Sequence, residues 1–249
     1  MRYLLPALLI AALIGAWQIA ATSGAIADAL NLEPILVPSP AEVAESLWQS
    51  RSLLADNAWV TLREIVGGLA LAVIAGLAFA VPMHLSQTLR LAAYPLIVAS
   101  QTIPLIVIAP ILVLWLGFGI GPKLVIVALI CFFPITVNTL DGLRSVDPEA
   151  RKMMRTLDAS RGQVLRRLEA PTALPFFFSG ARIAAVIAPI GAVFGEWSGS
   201  DSGLGHLILQ DIAQLETARS FAAVFVLSAI ALALFGVFAL AERRVVTWR

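Results

Sequence analysis

Residues Lys123–Pro171 read KLVIVALICFFPITVNTLDGLRSVDPEARKMMRTLDASRGQVLRRLEAP. This segment joins two kinds of chain that rarely adjoin in a water-soluble domain. Its first part, Lys123–Leu143, is an apolar run long enough to cross a bilayer, which takes about 20 helical residues. Its second part is crowded with Arg144, Arg151, Lys152, Arg155, Arg161, Arg166 and Arg167. An apolar run stopped by a basic cluster points to a membrane span ending on the cytoplasmic side. Further runs stand at Tyr3–Ala21, Ala58–Met83, Leu91–Leu116, Leu174–Glu196 and Phe221–Ala241. The bilayer core offers no water to backbone amides, so all six runs are expected to be helices.

The composition agrees. Of 249 residues, 59% are hydrophobic and only 13% are charged, with a formal net charge of +1. Soluble domains carry about 25% charged residues. These numbers exclude a soluble enzyme and a nucleic-acid binder, and the apolar content excludes disorder. Six spans of about 20 residues would use about 120 residues and leave the rest for loops. The expected fold class is therefore all-α, a polytopic membrane protein with about six transmembrane helices in one domain over 1–249. Its parts are an N-terminal span at 3–21, an outer loop at 22–56, a core at 58–241 and a cytoplasmic loop at 144–173. The first run has a second reading as a signal peptide, since Arg2 precedes it and small residues follow, but its apolar stretch exceeds the usual core of about 7–15 residues. The single cysteine, Cys131, rules out an internal disulfide framework and a multi-cysteine metal site.

Orientation follows from the basic residues. Six crossings put the 144–173 loop, Arg2, the tail residues Arg243, Arg244 and Arg249, and Arg90 on one side. The opposite loops hold mainly Arg51, Lys123 and Arg219 among many acids, including Asp28, Glu33, Glu42, Glu45, Asp56, Asp201, Asp211 and Glu216. The positive-inside rule places both termini in the cytoplasm. In the outer loop, Pro34, Pro38 and Pro40 favour an extended path. A short amphipathic helix is expected after Ser39-Pro40, with Ala41, Val43, Ala44 and Leu47 on one stripe.

The cytoplasmic loop has structure of its own. Asp147 followed by Pro148 reads as an N-cap with proline at the first helical position. Ala150, Met153, Met154 and Leu157 then recur at helical spacing, with basic residues between them. Asp158-Ala159 makes a break, and Ser160-Arg161-Gly162-Gln163 is a capping box starting a second short helix through Leu168. Such a basic, amphipathic pair has two readings. It lies on anionic headgroups, or its apolar ridge docks into a groove on a cytoplasmic partner.

Residue order resembles the loop of binding-protein-dependent ABC transporter permeases, whose pattern is Glu-Ala-Ala-x-x-x-Gly, nine residues, then aliphatic-x-Leu-Pro. In register, Lys152-Met153-Met154 stands at Glu-Ala-Ala, Asp158 at the glycine, Leu168 at the aliphatic position and Ala170-Pro171 at Leu-Pro. The likeness is closest to the nitrate, sulfonate, taurine and thiamine-precursor branch. It includes Gln101-Thr-Ile-Pro104, Trp115-Leu-Gly-Phe-Gly119, Phe132-Phe-Pro134 and Gly195-Glu196-Trp197 before Gly203-Leu204-Gly205. The resemblance implies an importer subunit in the bacterial inner membrane, working as a homodimer or with a related subunit. Two cytoplasmic ATPases would dock on Arg155, Thr156, Leu157, Asp158, Ala159, Ser160, Arg161, Gly162, Gln163 and Val164. ATP and Mg would be held by those ATPases, and an extracytoplasmic substrate-binding protein would deliver cargo to the outer loops.

The chain's own chemistry is consistent with that division. A phosphate-binding loop needs Gly-x-x-x-x-Gly-Lys before Ser or Thr. Pro122 precedes Lys123 and Arg151 precedes Lys152, so neither lysine fits. No catalytic set and no metal motif is expected in this chain. A proton-coupled secondary transporter would place acids deep in its spans, whereas Glu64 and Glu196 are expected near outer ends. An intramembrane serine protease using Ser198 and His206 lacks the glycine two residues before the serine, where Glu196 stands. His84 is expected at the cytoplasmic interface and His206 in an outer loop. Polar residues inside spans are the candidates for a translocation path: Gln101 and Thr102 in the third run, Thr136 and Asn138 in the fourth, and Glu196 at the outer end of the fifth. Interhelical hydrogen bonding is the competing role for each. A short helix is expected near Leu204–Ile212. Few path charges disfavour a multiply charged cargo and leave an organic sulfonate, nitrate or a neutral heterocycle such as a pyrimidine precursor.

Overall fold

A computed structural model describes residues 4–248, and every regular element among them is helical. Five helices are long and apolar enough to cross a membrane: α1 (Leu4–Thr22), α4 (Arg51–Leu85), α7 (Ile120–Arg144), the helix Arg161–Gly199, and α12 (Thr217–Val245). A sixth crossing is made if α5 (Gln87–Ser100) and α6 (Leu105–Leu116) count as one broken span. Arg2, Tyr3 and Arg249, which enter the expected first span and the charge pattern, lie outside the described residues.

The single span expected at Leu91–Leu116 is two helices meeting at a bend. The chain turns by 98° between Ser100 and Leu105. Gln101 and Thr102 tighten to i−3 bonds, Gln101 N–H to the Val98 carbonyl at 3.1 Å and Thr102 N–H to the Ala99 carbonyl at 3.0 Å. Pro104 then has an extended backbone and starts α6. A proline has no N–H to continue the ladder and pushes its predecessor out of the α region, so the helix stops there.

A second correction concerns the helix after the basic loop. The short helix α9 (Arg161–Val164) does not end before the next span. It passes through a π turn at Leu165–Glu169 into α10 (Ala170–Gly199), forming one 39-residue helix. The Ala170 N–H bonds back to the Leu165 carbonyl. This wider turn stands just ahead of Pro171, whose ring would otherwise crowd the preceding turn, so the short helix expected through Leu168 runs on into the span expected from Leu174.

The chain forms two compact units, 4–60 with Asp201–Ser228, and Thr61–Ser200 with 229–248. In the first, α2 (Ala25–Leu30) and a 3-10 turn at Pro34–Leu36 shorten the segment expected to be extended. The expected amphipathic helix is present as α3 (Pro40–Gln49), with a Ser39–Glu42 capping box. Gln18 of α1 accepts from the Ala41 N–H at 3.1 Å. Trp17 stacks on Phe225 with centroids 6.3 Å apart. The expected short helix near Leu204 is α11 (Leu204–Ala213), and it contains His206 in its first turn rather than in a loop. Asp211, fully buried, pairs with Arg219 at 2.6 Å.

The second unit holds the main apolar core, built on Ile65, Leu69, Met83, Ile135 and Leu140. A close seam runs between α7 and α10. A Cβ added at Gly180 would stand 2.5 Å from the Pro134 carbonyl oxygen, and one at Gly191 2.9 Å from Val127 Cα. Ala184, Ala188 and Ala192 are fully buried on α10. In lipid, helices gain little from hydrophobic transfer, so small residues that let backbones approach carry the association.

Candidate coupling hairpin and translocation residues

The basic loop folds as a hairpin whose caps follow from its residue types. Asp147 Oδ1 accepts from the Glu149 N–H at 2.9 Å, with Pro148 opening α8 (Pro148–Thr156). At the far end the Ala159 N–H bonds the Met154 carbonyl at 3.1 Å and the Asp158 N–H bonds the Arg155 carbonyl at 3.0 Å. That pair of bonds closes a helix when the residue after the cap is left-handed, usually glycine. Here Asp158 takes the role with φ 60°. Its short side chain tolerates that region better than most. Ser160 and Gln163 then form the expected capping box, Gln163 Oε1 accepting from the Ser160 N–H at 2.7 Å and Ser160 Oγ from the Gln163 N–H at 3.3 Å.

A direct check is available at the turn. Asp158→Gly is expected to leave amide protection across 148–169 equal or higher. Asp158→Val is expected to lower it by about 1–2 kcal/mol, the cost of a branched residue in the left-handed region. Hydrogen–deuterium exchange of the two variants measures this, and equal protection in both would show that the left-handed turn is not needed.

The hairpin is tied to the bundle by Glu169, a contact the sequence did not reveal. Its Oε1 accepts from Arg151 Nε at 2.8 Å and its Oε2 lies 2.7 Å from His84 Nε2. His84, in the last turn of α4, thus belongs to a nearly buried pair, its side chain 9% exposed. The hairpin's apolar ridge has no such partner: Met153 and Leu157 are 66% and 69% exposed. An exposed methionine–leucine pair beside arginines has the adaptable apolar character that protein partners use.

The path candidates divide. Gln101 and Thr102 sit at the 98° bend, both exposed, with Thr102 Oγ1 donating to the Ala99 carbonyl at 2.8 Å. Gln101 also lines a cleft of about 370 Å³ with Ser100, Pro104, Ile108 and Phe132. Thr136 is buried and donates to the Phe132 carbonyl of its own helix at 2.7 Å. Asn138 is half-buried and donates to the Pro134 carbonyl at 2.8 Å. Glu196 is 1% exposed and accepts from Thr61 Oγ1 at 2.6 Å. Ser198 donates to the Phe194 carbonyl at 2.8 Å, an intrahelical bond.

The outer-loop assignment of Lys123 is corrected. Its side chain is 7% exposed within α7, with Nζ 2.9 Å from Glu64 Oε1 and 2.6 Å from Ser200 Oγ. Glu64 is only 2% exposed. Lys123, Glu64, Thr61, Glu196 and Ser200 therefore join α4, α7 and the end of α10 through buried polar groups. Desolvation forces such charges to find one another, and a lysine opening one apolar run with a glutamate inside another was the available signal.

Comparison with known proteins bears on both regions. Residues 68–247 match the family described as binding-protein-dependent transport system inner membrane component. The chain is 39% identical over 218 residues to the formylaminopyrimidine transport permease protein ThiX of Halalkalibacterium halodurans, covering 87% of each. It is 38% identical over 215 residues to the riboflavin transport system permease protein RibX of Chloroflexus aurantiacus, covering 86% of this chain and 80% of that one. Among solved structures, the inward-facing MetNI methionine ABC transporter aligns with TM-score 0.66 at 19% identity, over 80% of this chain and 97% of that one.

Proposed function

We infer, from the premise that this chain belongs to the binding-protein-dependent transport system inner membrane component family, that its α8–α9 hairpin is the grip of a separate cytoplasmic ATPase. The chain is a multi-pass permease subunit of an ABC importer, and this function displaces the secondary-transporter and protease readings. The family relation implies an ATPase and a substrate-binding protein as partners. We place it in the bacterial inner membrane with both termini cytoplasmic, working with a second copy of itself. ATP and Mg belong to the ATPase subunits, since no phosphate-binding loop is legible in this sequence.

The exposed Met153–Leu157 ridge supports the docking role of Arg155–Val164. ATP-driven closure of two ATPases would move the docked hairpins. The unbroken helix Arg161–Gly199 would carry that movement along a span, so that the path faces first one side of the membrane and then the other. With the complete transporter, Leu157→Asp is expected to weaken ATPase co-purification at least about tenfold, and to abolish ATP-dependent uptake. An intact complex with full uptake would sink the docking role.

For cargo we propose a neutral nitrogen heterocycle of the pyrimidine class. The observation that carries it is that the Gln101 cleft is lined by the Gln101 amide, which donates to Ser100 Oγ at 3.2 Å and leaves its oxygen as acceptor, and by the Phe132 ring, with no charged side chain. Such a lining pairs with heterocycle nitrogens and stacks on their faces, and leaves a sulfonate or nitrate without a counter-charge. The formylaminopyrimidine and riboflavin permeases among its relatives support this class. Of the remaining path candidates, Thr102 stands beside Gln101. Thr136, Asn138 and Glu196 act through packing and hydrogen bonds that shape the spans. Gln101→Leu is expected to cut uptake of a radiolabelled pyrimidine about tenfold, while Gln101→Asn keeps part of it. Uptake of taurine or nitrate with exclusion of pyrimidines would overturn the cargo assignment.

A further inference from the structure

Between the end of α4 and the hairpin lies a cleft of about 540 Å³, lined by Leu85, Arg151, Arg155, Arg161, Val164 and Glu169 among others. Its charges do not cancel. Glu169 is engaged by Arg151 at 2.8 Å, whereas Arg155 and Arg161 form no ion pair among the described residues. Two guanidinium groups thus converge on a cleft that also has aliphatic walls in Leu85 and Val164. A guanidinium offers planar paired donors that match a phosphate's oxygens. Aliphatic walls add nothing for a bare halide, but they suit the carbon skeleton next to a phosphodiester. The cleft stands at the end of α4, a helix long and apolar enough to cross a membrane, and basic pockets beside such helix ends attract anionic headgroups.

We propose that this cleft is a binding site for a phosphate-bearing anion, with the headgroup of an anionic phospholipid as the source favoured by its place at the end of an apolar span. The exposed Met153–Leu157 ridge faces a protein partner and the cleft takes the anion, so one hairpin serves both a lipid and a motor. The cleft shares Arg155, Arg161 and Val164 with the stretch proposed to dock the ATPase, so binding is read on the permease without ATPase, where its failure does not bear on docking.

The test uses the full-chain permease, delipidated in a neutral detergent, and native mass spectrometry with phosphatidylglycerol, phosphatidylcholine or inorganic phosphate. One phosphatidylglycerol is expected to bind in preference to phosphatidylcholine. R155Q/R161Q should weaken that binding at least about tenfold. R243Q/R244Q, which removes equal charge from the C-terminal end of α12, should not. R155K/R161K keeps the charge without the paired donors and should fall between, and thermal unfolding of all variants in phosphatidylcholine guards against misfolding. Competition by millimolar inorganic phosphate, with weak lipid binding, would assign the site to a soluble phosphate. Equal losses in R155Q/R161Q and R243Q/R244Q, equal binding of the two lipids, or no anion bound unless the ATPase is present would each overturn the proposal.

Discussion

Lys123→Met permease is expected to reach the membrane at a small fraction of the wild-type level and to unfold far earlier when heated in detergent. The reason is the neighbour left behind. Glu64 is 2% exposed and is held by Lys123 at 2.9 Å. Removing one partner of a buried pair strands the other charge and costs about 3–5 kcal/mol. A domain is stable by only about 5–15 kcal/mol in total, so the loss is a large share. The double variant Lys123→Met/Glu64→Gln removes both charges and should recover much of it, because a buried pair replaced as a unit is often nearly neutral. Melting of the single and double variants, followed by fluorescence-detected size exclusion, reads the result. A single variant as stable as wild type would show that Glu64 and Lys123 are not a buried pair.

Gly180→Val is expected to separate α7 from α10 and abolish transport with it. A side chain at this position meets the Pro134 carbonyl oxygen at 2.5 Å, and a backbone atom cannot rotate out of the way. Overpacking of this kind costs about 1–3 kcal/mol even where side chains can adjust, and here they cannot. The sign is informative. Glycine inside a helix is worse than alanine by about 1 kcal/mol in propensity, so at an open position Gly→Ala stabilises. Gly236 has nothing within 4 Å, and Gly236→Ala is expected to raise the melting temperature or leave it unchanged. Gly180→Ala should lower it. The same sign at both positions would remove the close α7–α10 approach from the account.

Much of the hairpin was legible because its signals are local. Asp147-Pro148 and Ser160-Arg161-Gly162-Gln163 involve residues within one turn of each other, and the caps form as the pattern predicts. Asp158 was legible in a different way: it stands where related loops have glycine, and its left-handed backbone meets the requirement that glycine usually serves. The sharpness of the break at Gln101–Pro104 was not legible because hydropathy does not register direction. An apolar run bent by 98° and a straight one have the same composition. The continuation through Leu165–Glu169 was not legible because the basic, polar stretch after Leu165 separates two apolar patterns that a π turn joins into one helix.

The amino-acid order alone determined that this chain has several helices apolar enough to cross a membrane and which loop is a capped basic hairpin. Each of these depends on transfer of apolar side chains from water or on hydrogen bonds between near neighbours, and both are written along the chain. Only the tertiary structure decided which polar residues meet. Glu64 finds Lys123, and Glu169 finds His84 and Arg151, across long stretches of sequence. A buried charge must be matched by whatever packing brings beside it, and that neighbour is set by how helices pair rather than by spacing along one of them.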